Sequence, residues 1–360
     1  MISFCAVGDV MLGDHPVCYG HGVRSAIDKV GIDQFLAGVR SVLKGADIVT
    51  GNLEAGLSTV ELRPGQLVSE EMRGRPEYAA GLARAGFNVM TVANNHALHH
   101  GEEAFRDTCE LLRKSGIAPV GVAQDVDKSN VWRFEKNGVK VAVLGYSVRP
   151  EKYRPGIRAY AYGNEAALLE QVRELAVDNT TVVVSIHWGE EYLHTPSPSQ
   201  VDLGHRLVDA GASIVVGHHP HVLQGVERYK TGWIAYSLGN FAFDHWERSG
   251  RETFILKCHI TEAGVSDLSC VPVFIGKDLR PVIAEGTSAK RIDETIKELS
   301  GQINAFAGRD AEYQQLADRA YLKYRLDSYR YFLTNLWRYR PSIIRQSLSR
   351  AAERRRSSNG

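Results

Sequence analysis

The sequence predicts an α/β fold: a mostly parallel sheet packed by helices, joined by a later part richer in antiparallel strands. Three observations carry this. Short apolar runs of β type alternate with helical patterns across roughly the first two-thirds of the 360 residues. Four helical stretches stop at Gly45, Gly86, Gly116 and Gly211, the residue expected where a helix closes in the left-handed conformation, and a short apolar run follows each. After Gly121 the rhythm changes to hairpin-like pairs, so the sheet system reads as mixed or doubled.

The elements follow in order. Strand-type runs are expected at Ile2–Val7, Ile48–Thr50, Val89–Ala93, Val182–Ile186 and Ile214–Val216, and helices at Gln34–Leu43, Glu77–Ala85, Glu102–Ser115, Glu165–Ala176 and Ser199–Ala210. Residues 56–76 are dense in turn formers and read as a loop over the strand ends. Val131–Glu135 and Val139–Gly145 flank Lys136-Asn137-Gly138, a hairpin signal. Ile234–Leu238, Thr253–Ile260 and Val265–Phe274, with turns at Gly232 and Gly264, predict antiparallel strands. From about Ala289 the chain is helical and polar. The expected organisation is a catalytic domain over 1–285 and a basic helical extension over 286–360.

Composition narrows the class. Apolar residues make up 44%, enough for a sizeable core, and the net charge of +1 gives no global pull towards nucleic acid. Cys5, Cys18, Cys109, Cys258 and Cys270 are odd in number and scattered, without a C-x-x-C pair, which argues against a disulfide framework or a zinc knuckle and for a reducing, cytoplasmic setting. No signal-like or membrane-spanning apolar run is visible.

Five apolar runs end at metal-binding residue types: Asp9; Asn52 and Glu54; Asn94-Asn95-His96; His187; and His218-His219-Pro220-His221. Ligands of open α/β sheets sit beyond the carboxyl ends of the strands, so one metal site assembled from distant segments is expected. Three histidines in four positions suit zinc, iron, manganese or nickel, and in an extended loop 219 and 221 point the same way. Asp9 is either a helix cap or a bridging carboxylate. Glu54 is favoured over Asn52 as a ligand, because cations need anionic partners. Asparagine offers a neutral carbonyl oxygen, and His96 beside it suits a general acid.

The blocks GDVMLG (8–13), NLE (52–54), ANNHALHHG (93–101), SIHWGEEY (185–192), GHHPHVLQG (217–225) and YSLGNF (236–241) resemble the CapA-type family of capsule and poly-γ-glutamate biosynthesis, placed among the calcineurin-like metallophosphoesterases. The resemblance covers roughly residues 2–245. It implies a four-layer α-β-β-α sandwich with two divalent ions (Mn, Zn or Fe), Asp9, Glu54, Asn95, His187, His219 and His221 as ligands, and His96 as the catalytic histidine. Asn240 is implied to face the same pocket. Three positions depart from the pattern: Met11 stands where metallophosphoesterases carry histidine, Gly51-Asn52-Leu53-Glu54 replaces Gly-Asp-x-x-Asp, and His99 replaces an aspartate usual in the CapA type.

The chemistry expected is attack of an activated water on phosphorus or a carbonyl carbon, with His96 protonating the leaving atom. Substrates would be a polymer, a phosphoester or a peptide, and Asn52, His218, Trp188, Glu191 and Tyr192 are weaker candidates for shaping substrate binding. The tail holds Arg319, Lys323, Arg325, Arg330, Arg338, Arg340, Arg345, Arg350 and Arg354-Arg355-Arg356, interleaved with Tyr321, Tyr324, Tyr329, Tyr331, Phe332, Trp337 and Tyr339. Packing on the catalytic domain is the favoured role, an anionic membrane surface the next, and nucleic acid the last.

Overall fold

The structure is a computed structural model describing residues 1–123, 130–177 and 180–357, with the side chains of 352 and 354–357 excepted; those of Arg354, Arg355 and Arg356 therefore lie outside it. Two sheets face one another. The first runs Pro281–Ile283, Gly264–Ile275, Glu252–Thr261, Ile2–Val10, Ile48–Leu53, Val89–Thr91, Ala118–Val120, with Asn240–Ala242 also pairing Ile2–Val10. The second runs Val226–Tyr229, Gly232–Ala235, Ala212–His218, Thr181–His187, Val139–Ser147, Val131–Lys136. In the first sheet the strands from Ile2–Val10 to Ala118–Val120 run parallel and those from Pro281–Ile283 to Ile2–Val10 pair antiparallel, whereas in the second the centre is parallel and only the two edge pairs are antiparallel.

Side-chain alternation sets the layers. Phe4 and Ala6 turn inward and pack with Val141, Val143, Val183, Ile214 and Val216 of the facing sheet. Cys5 and Val7 turn outward against helical residues Ile27, Phe35, Leu82 and Leu112. On the other side Leu144, Val182, Val184 and Val215 pack with Leu168, Val172, Leu203 and Leu207. Helix, sheet, sheet, helix is the resulting order, the four-layer sandwich.

Local signals explain most elements. Glu165–Ala176 starts at Asn164, whose side chain accepts from the Ala167 amide, and Pro198–Asp209 starts with a capping box between Ser197 and Gln200. Asn137 and Gly138 both have positive φ, the turn that lets Lys136 pair with Val139. Three differences from the sequence reading stand out. Gln34–Leu43 is not one helix but two short ones, Ile32–Phe35 and Arg40–Leu43, because Gly38 must lie close to the backbone of Pro281 and Val282. Val23–Val30 is an additional helix. Gly232–Ala235 pairs antiparallel with Val226–Tyr229 but parallel with Ala212–His218.

The C-terminal helices Gly286–Gly301, Asp310–Thr334 and Pro341–Ser357 pack back on the sandwich. Ile292, Ile296 and Leu299 enter the core between the sheets, Tyr313 and Ala317 cover Leu193, and Tyr339 and Ile343 cover Leu67. No described helix is long and apolar enough to cross a membrane.

Candidate metal centre

Register brings the polar residues together. Asp9 pairs with Asn52 on one side and Asn240 on the other, Asn52 with Thr91, and His187 with His218. The strand ends of both sheets thus open onto one crevice. Close approach needs glycine at two points: a Cβ on Gly8 would lie 1.9 Å from the Gly239 carbonyl oxygen, and one on Gly217 would lie 1.9 Å from that of Tyr236.

Two groups of ligand-type side chains result, Asp9–Glu54–His187 and Glu54–His219–His221, each with its ligand atoms within 4.8 Å of one another and all of them buried. Glu54 belongs to both groups, and Asp9, in the first, also lies 3.2 Å from His221 of the second. Asn52 Nδ2 donates to Asp9 Oδ1 at 2.8 Å and lies 3.3 Å from His187 Nδ1. Asn95 Oδ1 is 2.9 Å from His187 Nε2. His221 Nδ1 is 3.0 Å from Asn240 Oδ1 and 3.2 Å from Asp9 Oδ2, while its Nε2 faces Glu54 Oε1 at 3.7 Å. The 218–221 segment is not extended: His219 and His221 sit at φ 97° and 58°. Their rings converge, 5.8 Å apart, through a strained turn costing about 1–3 kcal/mol per residue.

The donor set fits divalent cations. Glu54 Oε1, Asn95 Nδ2 and both ring nitrogens of His219 are buried without a hydrogen-bond partner, an arrangement interiors avoid unless a ligand completes it. Burial alone would strip the proton from His221, but the charges of Glu54 and Asp9 and the hydrogen bond to Asp9 hold its pKa up to about 10. Burial, with Asp9 close by, pushes Glu54 well above the usual carboxylate range, while Asp9, despite its burial, is held well below it by hydrogen bonds from His218 and His221.

His96 lies half-buried beside this centre. Its Nδ1 is 3.2 Å from His99 Nδ1 and 3.2 Å from the Tyr153 hydroxyl. His99 Nε2 in turn meets Glu71 Oε1 at 3.3 Å, and its ring stacks on Tyr153 at 4.2 Å. Burial and the charges of His99, His187 and His221 push the His96 pKa well below its ordinary value. Met11, at the departure from the histidine pattern, is fully buried in an apolar cluster with Ala55, Met72 and Phe243.

The remaining candidates divide. His218 points into the interior, 3.0 Å from Ser185 Oγ and 3.4 Å from Asp9. Trp188 is fully buried, its indole N–H donating to the Tyr236 carbonyl at 2.8 Å. Glu191 is half-buried and its charge reaches Glu54 and His221. Tyr192 stacks on Tyr324 of the tail at 4.0 Å, with His221 at 6.1 Å. Sequence reasoning missed Glu71, Tyr153 and Arg149. Glu71 sits in the 56–76 loop with no motif around it. Arg149, which ion-pairs with Glu190 at 2.7 Å and whose charge reaches His187 and His219, follows a strand end as the other site residues do, and that position was its one signal.

Residues 3–245 match the family model described as bacterial capsule synthesis protein PGA_cap. The chain is 34% identical to the capsule biosynthesis protein CapA of Bacillus anthracis, over 76% of this chain and 67% of that protein. It is 30% identical to the PGA biosynthesis protein CapA of Bacillus subtilis (strain 168), over 84% and 79%. Against the solved 5'-nucleotidase precursor of Thermus thermophilus, the identity is 13% and the TM-score 0.49, covering 85% of this chain and 59% of that one, too distant for chemistry to rest on it.

Proposed function

We propose that this chain, which belongs to the bacterial capsule synthesis PGA_cap family, is a metal-dependent hydrolase of capsule, poly-γ-glutamate or other cell-surface polymer metabolism. The observation that carries the reading is the pair of buried ligand groups sharing Glu54, with orphaned nitrogens on His219. Asp9, Glu54 and His187, assisted by Asn95, would hold one divalent ion, and Glu54, His219 and His221 a second. Mn, Zn or Fe suit this oxygen and nitrogen set, and such ions polarise the scissile group and make water a nucleophile at neutral pH.

The protein's own residues do the rest. Asn240 and Asp9 fix the Nδ1 side of His221 and leave its Nε2 turned to the pocket. Tyr153 and His99 fix the ring of His96, which delivers the proton to the leaving oxygen or nitrogen. Because burial and the neighbouring imidazoles depress His96, it needs an anionic group beside it to hold that proton. This favours a substrate carrying phosphate or carboxylate.

The test combines metal analysis with turnover. Expected are bound divalent metal and hydrolysis of a phosphodiester such as bis-p-nitrophenyl phosphate, with loss of about 10²–10⁴ in rate for His96→Ala at unchanged metal content. Activity on γ-glutamyl peptides without phosphoesterase activity would move the reaction to amide chemistry. Protein that takes up no metal and turns over neither class would instead be an accessory subunit of polymer synthesis.

A further inference from the structure

The helix Asp310–Thr334 is apolar on two opposite faces. Its inner face is occupied: Tyr313 and Ala317 pack with Leu193, Tyr324 stacks on Tyr192, and Tyr331 stacks on Trp246 at 4.9 Å. At 3.6 residues per turn, Leu322, Leu326, Tyr329 and Leu333 fall on the far side, and they are 56%, 60%, 46% and 60% exposed. Trp337, 78% exposed, continues the stripe. A surface helix ordinarily has one apolar stripe, turned to the core; a second one needs a partner of its own, and no described residue covers it.

Charge says what that partner is. Exposed Arg319, Arg325 and Arg330 flank the stripe, Arg338 and Arg340 lie past its end, and the acids nearby are Asp318 and Asp327, the latter paired with Lys323 at 2.9 Å. Next to the stripe opens a cavity of about 850 Å³ whose lining includes Lys29, Arg251, Lys277, Arg280, Trp337 and Arg338. Asp278, its one acidic lining residue, meets Arg280 at 3.7 Å. Four lining nitrogens are buried without a partner: His21 Nδ1, His245 Nε2, Trp246 Nε1 and Arg280 Nε. His245 is only 6% exposed, its Nδ1 meets the Glu247 amide at 3.2 Å and the Glu247 carbonyl at 3.3 Å, and its Nε2 faces the cavity without a partner. Cations and spare N–H donors around one chamber suit an anionic oxygen.

We propose that this face docks on an anionic membrane surface. The stripe and Trp337 enter the headgroup region, the arginines meet the lipid charge, and the cavity receives a lipid phosphate. A second copy of the chain fits less well, since it would set the same arginines against one another. The proposal is independent of the hydrolase reading, because binding is read without turnover.

The experiment is co-sedimentation of the full chain with vesicles of phosphatidylglycerol and phosphatidylcholine, or of phosphatidylcholine alone. The expected result is retention on the anionic vesicles only, released by high salt. Partition should fall about tenfold or more in Leu322→Ser/Leu326→Ser/Leu333→Ser, and by a similar factor in Lys277→Glu/Arg338→Glu. These positions are exposed, or line an open cavity, so unchanged thermal melting will show that the variants fold. Equal retention of wild type and the leucine variant, or failure of wild type to bind, overturns the proposal. So does a wild-type dimer in sedimentation velocity that the leucine variant converts to monomer, since a second copy would then own the stripe.

Discussion

Arg350, in the last helix, forks onto Glu71 across 279 residues of sequence, its Nη2 donating to Oε1 at 2.7 Å and its Nη1 to Oε2. The same carboxylate meets His99, and His99 meets His96. The C-terminal segment therefore reaches the candidate general acid through three side chains, and it braces the wall of the candidate metal centre as well as covering surface.

Removing the guanidinium should cost stability. Glu71 is 1% exposed and Arg350 is 28% exposed at the side chain, so the loss in Arg350→Ala belongs below the fully buried range, at about 2–3 kcal/mol in urea unfolding. Burial by itself would raise the Glu71 pKa, but hydrogen bonds from His99 and Arg350 and the charge of Arg350 bring it down to about 2. A depressed carboxylate contributes stability that is complete above its unfolded value and lost as pH falls through the folded one. Wild type should weaken between about pH 5 and pH 2, and Arg350→Ala should show a shallower slope there. Identical slopes would mean that Arg350 is not what depresses Glu71.

His99, the position at which the sequence resemblance leads one to expect an aspartate, meets a carboxylate instead of supplying one: its Nε2 lies 3.3 Å from Glu71 Oε1. His99→Phe keeps the ring stack on Tyr153 but removes the contact to His96. The expected effect is a kcat lowered roughly tenfold with KM little changed, because a misoriented acid is lost only in part. His99→Asp should recover most of that rate. An aspartate variant no better than phenylalanine would assign His99 to packing.

The crevice was legible in the sequence because strand ends announce themselves. A β-branched run that stops at aspartate or histidine leaves little else for the side chain to do, and register then places Asp9 beside Asn52 and His187 beside His218. What was not legible depends on contacts without local period. Glu71 and Arg350 lie in segments whose patterns say only loop and basic helix, and their pairing exists only after the tail has folded back. The left-handed backbone at His219 and His221 was hidden for another reason: side-chain type does not report φ when neither residue is glycine. The break at Gly38 likewise follows from the backbone of Pro281 and Val282 pressing on that position, which no nearby residue encodes.

The tight contact at Gly217 has its own consequence. A methyl there would meet the Tyr236 carbonyl oxygen at 1.9 Å and Trp188 Nε1 at 2.4 Å, atoms already bonded to each other in a fully packed layer. Gly217→Ala should lose at least about 3 kcal/mol in denaturant unfolding, with altered emission from Trp188. Gly301→Ala, where a methyl meets nothing within 4 Å, is the matched control and should be neutral or mildly stabilising. A Gly217→Ala protein as stable as the control would show that the strand ends can separate without loss.

Sharing of Glu54 makes a stoichiometric prediction. If both ligand groups need this carboxylate, Glu54→Gln should empty both, whereas His187→Ala or His219→Ala should empty one and leave the other. Elemental analysis after dialysis against Mn or Zn should then read about two ions per wild-type chain, about one in either histidine variant and close to none in Glu54→Gln. Thermal unfolding gives an independent reading: metal at about 100 times its Kd should stabilise wild type by about 2.7 kcal/mol per site, and Glu54→Gln should not respond. Equal metal retention in Glu54→Gln and His219→Ala would make Glu54 an ordinary ligand of one site and return the bridging role to Asp9.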